Sequence, residues 1–183
     1  MVSNLLANTQ TINLDKTLIF GNPLARTNYT VRAKNMNTPR DRLIDALATC
    51  MNAGPAREDA IEQAESQLQL FFPPTYRMFL ALFGASMGNG FEIHGLCPVP
   101  EDEDSTPLWS DVVSSTLALR PDCLPENSIE ISHDGCEIGY FLECSTRDRE
   151  FEGRIIEWGS PHDGAFPTGM TFIEFVESQT EDP

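Results

Sequence analysis

The block Phe72-Pro73-Pro74-Thr75-Tyr76-Arg77-Met78-Phe79-Leu80-Ala81-Leu82-Phe83-Gly84 limits the fold more than any other stretch of the chain. Two consecutive prolines make a rigid corner, because each fixes φ and removes a backbone donor. From Thr75 to Phe83 the pattern turns helical. Tyr76, Phe79, Leu80 and Phe83 fall at i, i+3, i+4 and i+7 and so share one face. Gly84 is placed to end the helix. A stripe this aromatic has to be buried against another layer, and the chain must build its core around it.

The flanking segments supply that layer. Thr38-Pro39 reads as N-cap and first helical residue, with Leu43, Leu47, Cys50 and Met51 on one helical face and a stop at Asn52-Ala53-Gly54-Pro55. Ala56 to Leu68 follows as a charged helix with a narrow apolar stripe. Phe91 to Leu96 alternates at period two and predicts a strand. Leu108 to Leu119 predicts a short amphipathic helix carrying Trp109, Val112, Val113 and Leu117. Ile129–Ser132 and Ile138–Glu143 flank His133-Asp134-Gly135, a strong hairpin signal. Arg154–Trp158 reads as a further strand, and Thr171–Val176 as a closing helix. Helices, then a largely antiparallel sheet, then a helix give an α+β domain over residues 39–183. Residues 1–38 form a polar, Asn/Thr-rich N-terminal arm with two β-like runs around Gly21-Asn22-Pro23; hairpin and mobile arm are both compatible with it.

Charge narrows the function. The 183 residues hold 12 Lys+Arg against 28 Asp+Glu, a formal charge of −16. Residues 1–54 carry six basic and three acidic side chains; residues 55–183 carry six basic, all Arg, and 25 acidic. A domain with this balance repels nucleic acid and anionic membrane and draws in basic partners. Solubility alone is the plainer purpose of such acidity. No apolar run nears the roughly 20 residues that span a bilayer, and the N-terminal stretch lacks a secretory apolar core. The expected compartment is the cytoplasm. Five cysteines at irregular spacing, without a CxxC pair, indicate neither a disulfide framework nor a zinc ribbon.

The order of these segments resembles the SUKH superfamily, named for a fungal cell-wall regulator and its bacterial relatives. The residues that carry the likeness are Glu62-x-x-Glu65, the Phe72-to-Leu80 block, Ile93-x-Gly95-Leu96, the hairpin Ile129–Glu143, Ile155–Trp158 with its terminal Trp, and Thr171-Phe172-Ile173-Glu174-Phe175-Val176. Together they cover roughly residues 56–177. The resemblance implies a sheet packed with helices and no catalytic centre. It also implies, for bacterial members, an immunity protein that binds and neutralises a cognate toxin, often a nuclease. The fungal alternative is a non-catalytic regulatory scaffold.

A search for chemistry agrees with binding. His94 falls on a strand, where alternation allows an outward position, while His133 and His162 sit in His-Asp-Gly turns. His94 with Cys97, and His133 with Cys136, give two metal ligands each where a structural zinc site needs four. Glu101–Asp104 lacks the alternation and glycine of a calcium loop, and no glycine-rich phosphate cradle follows a strand. The expectation is therefore no enzyme, no cofactor and no metal. A partner surface is expected instead, on the Pro-bracketed acidic loop Glu101, Asp102, Glu103 and Asp104, with Trp109 as aromatic anchor and Asp111 nearby. A second acidic group, Glu126, Glu130, Asp134 and Glu137, surrounds the hairpin. The partner is expected to be a basic cognate toxin, with neither nucleic acid nor membrane bound.

Overall fold

Helix α3 (Pro74–Phe83) forms where the aromatic stripe predicts it, and the fold is arranged around it. The computed structural model describes residues 38–97, 110–119, 127–159 and 164–181. In chain order these give α1 (Pro39–Ala46), β1 (Met51–Asn52), α2 (Glu58–Leu68), α3, β2 (Ser86–Met87), β3 (Glu92–Ile93) and α4 (Val112–Leu119). There follow β4 (Ser128–His133), β5 (Ile138–Glu143), β6 (Arg154–Gly159), β7 (Gly164–Thr171) and α5 (Phe172–Thr180). The strands make two antiparallel sheets, one small in the order β1-β2-β3 and one larger in the order β4-β5-β6-β7. The α+β class is the one the segment order implies.

Local chemistry sets the helix ends. Thr38 caps α1, its hydroxyl accepting from the Asp41 amide, and Pro39 occupies the first turn. α1 stops at Ala46, a turn short of the predicted stripe, and Met51 lies in β1, 58% exposed. The side-chain amide of Asn52 donates to the carbonyls of Cys50 and Leu47, turning the chain into β1. α3 has no side-chain cap of its own at Pro73. Glu152, from the β5–β6 connection, takes the amide of Thr75 at 3.0 Å and its hydroxyl at 2.6 Å. Thr171 and Glu174 form a reciprocal capping box at the start of α5.

Phe72, Tyr76, Phe79 and Phe172 are almost wholly buried and interlock. Tyr76 meets Phe72 and Phe172 edge-on at 5.4 and 5.1 Å, and Phe79 meets Phe172 at 5.4 Å, the geometry that ring quadrupoles favour. The Tyr76 hydroxyl donates to the His94 carbonyl at 2.8 Å. The His94 amide in turn donates to Ile131 of β4 at 2.8 Å, and the Ser132 hydroxyl to the Glu92 carbonyl at 2.6 Å. These bonds join the small sheet to the large one.

Glycine is required at position 95. A Cβ there would lie 1.7 Å from the carbonyl oxygen of Gly84, because the chain leaving α3 crosses that spot. Glu65 of α2 is a buried acid of the core, 4% exposed. It accepts from the Phe72 amide at 2.9 Å and sits 2.6 and 3.2 Å from the guanidinium nitrogens of Arg77 and Arg149. Arg77 also pairs with Glu58, and Arg149 lies over the Phe71 ring. A buried carboxylate satisfied on several sides fixes how α2, the proline corner and the β5–β6 connection meet.

Removing the Tyr76 hydroxyl while keeping its ring leaves the His94 carbonyl without that donor. Tyr76→Phe should cost about 1–3 kcal/mol of stability, the usual penalty for an unsatisfied buried polar group. Urea unfolding measures it; an unchanged midpoint would mean that the carbonyl finds another donor.

Candidate functional site

The two faces of the large sheet differ. Ile129, Ile131, Leu142 and Ile155 point into the main core. On the other face the register aligns Glu130, Phe141, Ile156 and Pro167 in one row and Gly139, Trp158 and Ala165 in the next. There Leu119 of α4, Phe141 and Trp158 surround a cleft of about 370 Å³, and Glu130, His133, Asp134 and Glu137 also line it. Gly139 shapes its floor. A Cβ at that position would come within 2.8 Å of the Phe141 ring, so the missing side chain is what lets Phe141 lie along the strand.

The β4–β5 turn holds the rim. Asp134 Oδ1 accepts from the amides of Cys136 at 2.8 Å and Ile138 at 3.0 Å. These backbone donors hold the Asp134 carboxyl below its usual range, so it stays charged. Gly135, at φ +77°, takes the left-handed position the turn demands. Among the described residues, no lysine or arginine lines the cleft.

Behind the rim lies a buried polar cluster. His94 is 1% exposed and Glu130 7%. His94 Nδ1 stands 3.4 Å from the Ser115 hydroxyl and 3.8 Å from Glu130 Oε2, and its ring meets that of His133 at 5.5 Å. The Thr116 hydroxyl accepts from the Glu130 amide, and Ser115 donates back to the Asp111 carbonyl. Serine, histidine and acid are thus neighbours, yet Ser115 and Glu130 converge on the same ring nitrogen. A relay needs the nucleophile on one nitrogen and the orienting acid on the other. Nε2, the nitrogen left over, is buried with no hydrogen-bond partner among the described residues.

Burial lowers His94 to about 4, against opposition from Glu92 and help from His133. Burial also raises Glu130, which His133 and the Ser115 hydroxyl oppose.

The residues expected at a partner surface divide four ways. Glu101, Asp102, Glu103, Asp104, Trp109 and Glu126 lie outside the described residues. Asp134 and Glu137 are exposed and share the cleft. Asp111, half-buried, caps α4 through the Ser114 amide at 2.8 Å. Glu130 departs from the expectation of a surface acid, because α4 and His94 cover its face of β4. His94 likewise turns inward. Phe141, Trp158 and Leu119 enter the site without having been singled out for it; Phe141, on the alternate of β5 opposite Ile138, Tyr140 and Leu142, was the available sign that neither face of the strand is simply solvated.

With this architecture in place, a family model described as SMI1-KNR4 cell-wall, within the SUKH group, matches residues 37–180. The chain belongs to the SUKH family. No curated protein matches it. In this SUKH domain the family-like positions have physical roles. Glu65 is a buried acid, Tyr76 and Phe79 the aromatic centre, and Gly95 the backbone crossing. Trp158 forms a wall of the cleft. No helix among the described residues is long and apolar enough to cross a membrane.

The depressed His94 value gives a pH dependence with a defined sign. Between about 6.5 and 4 the unfolded chain binds a proton at this residue that the folded state refuses, so stability falls as the solution is acidified through that window. A separation of that size corresponds to an effect on the order of 3 kcal/mol. Glu130, raised in the fold, works the other way and offsets part of it. In urea unfolding from pH 7.5 to 4, His94→Asn should lose distinctly less stability than the parent, and Glu130→Gln more. Parallel curves for all three would show that His94 is not held neutral.

Proposed function

We propose that this protein is a non-catalytic binding module of the immunity type, which occupies and neutralises a basic cognate toxin in the cytoplasm. The observation that carries the reading is the cleft, where an aromatic floor is bordered by Asp134 and Glu137 and, among the described residues, no lysine or arginine lines it. Apolar area supplies contact that excludes water, while uncompensated carboxylates speed encounter with a basic surface and select against acidic ones. A nuclease is a fitting target, since the groove that binds its phosphates is cationic. The convergence of Ser115 and Glu130 on one nitrogen of His94 supports binding over hydrolysis. Glu101 to Asp104 and Trp109, outside the described residues, are proposed as contact residues on their sequence alone.

The family's cell-wall description favours a second reading, a regulatory adaptor that bridges proteins without blocking an enzyme. Affinity capture from the source cells at low and high salt, identified by mass spectrometry, separates the two. Immunity predicts one stoichiometric basic toxin released by salt. An adaptor predicts several structural or signalling partners, and no partner at all would defeat both readings. Against the captured partner, Asp134→Asn with Glu137→Gln should slow association several-fold and flatten its salt dependence, with less effect on dissociation. Unchanged association kinetics would place the electrostatic contact elsewhere.

A further inference from the structure

The cleft has a size and chemistry that select among occupants. The cleft is open to solvent and offers about 370 Å³ beside Leu119, Phe141 and Trp158, which is room for an inserted side chain. An anion would meet Asp134 and Glu137, and among the described residues no lysine or arginine joins them in the lining. A purely apolar side chain would fill the floor and strip water from those carboxylates without replacing its hydrogen bonds. Asp134 cannot turn away from the site, because two backbone amides hold its Oδ1.

We propose that the cleft receives an arginine side chain of the basic protein partner, with its methylene stem on Phe141 and Leu119, its guanidinium against Trp158, and its donors on Asp134 and Glu137. This rests on the binding function proposed above and names the residue type that the partner inserts. Arginine satisfies the floor and the rim together. Its planar, weakly hydrated guanidinium gains from an aromatic wall and offers a fork of donors to carboxylates. Lysine carries the same charge on a compact, strongly hydrated ammonium that loses more on entering an apolar recess. Gly139 sets the depth of the site, because any larger residue meets Phe141 and lifts the floor.

The test uses the full chain labelled with nitrogen-15 and three capped tripeptides, Gly-Arg-Gly, Gly-Lys-Gly and Gly-citrulline-Gly. The indole N–H of Trp158 is assigned through Trp158→Phe. The arginine peptide should shift that resonance and the amides of residues 135–139 saturably, about tenfold more tightly than the lysine peptide. Citrulline, which keeps the shape and loses the charge, should give no saturable shift. Gly139→Val should weaken the arginine peptide about tenfold and leave the circular dichroism unchanged; if that variant unfolds, Glu137→Gln should weaken it several-fold without disturbing the fold.

Equal binding of the citrulline peptide would overturn the proposal, as would shifts mapping away from the hairpin or a response that neither variant alters. Concentration-dependent shifts at the same residues without peptide would give the cleft to a second copy of the chain, which also overturns it. The broader reading fails separately. A captured partner that still binds Gly139→Val and Glu137→Gln at full affinity leaves the binding function standing and removes only the cleft from it.

Discussion

Both backbone groups of His94 are spent inside the core, and the fold depends on that pair of bonds. Its carbonyl takes the Tyr76 hydroxyl of α3, and its amide reaches Ile131 of β4. The aromatic cluster thereby fixes the short β3 segment, and the segment fixes the two sheets against each other. Neither bond is exposed, so neither can be exchanged cheaply for water. The side chain of the same residue then has no choice of environment. It is carried into the space between β4 and α4, where Ser115 and Glu130 meet it. A geometry that looks at first like a reactive triad is on this account a consequence of packing, with the imidazole kept neutral by burial.

The same placement connects the core to the outer cleft. Glu130 and His133 belong to β4, and both line the cleft while touching His94 from its other side. A buried acid with a raised proton affinity supports the inner wall, and an exposed acid held charged by backbone amides forms the outer lip. The two carboxylates do different work because one is desolvated and the other is pinned by donors.

What the sequence revealed follows the range of the interactions involved. α3 and the β4–β5 hairpin were legible because their signals are local: helical spacing over nine residues, and alternation on both sides of Asp134-Gly135. β1 and β2 are two residues each, too short to show any period. β7 contains Gly164, Pro167 and Gly169, which read as turn residues; pairing with β6 makes it a strand, and a proline is tolerated at a sheet edge. Glu130 is more buried than its pattern implies, for a more instructive reason. Ile129, Glu130, Ile131 and Ser132 alternate as a half-exposed strand does. Its polar face is nonetheless covered by α4, whose Ser115 and Thr116 supply hydroxyls to it. Only the tertiary arrangement distinguishes a solvated polar face from one satisfied by a helix. The acidic loop Glu101–Asp104 and Trp109, the most conspicuous binding candidates in the sequence, lie outside the described residues.

The bulk acidity can now be related to where the cations go. Arg42 is forked onto Glu177 at 2.7 and 2.5 Å, joining α1 to α5. Arg57 pairs with Asp59, and Arg77 and Arg149 with Glu65. These arginines serve carboxylates that are part of the fold's own framework, the buried Glu65 above all. Among the described residues, Asp134 and Glu137 are carboxylates outside these pairs. At the hairpin those carboxylates border an aromatic recess, and charge in excess there does more than keep the protein in solution. It specifies the sign of what comes to the surface, while the recess specifies the shape of what stays.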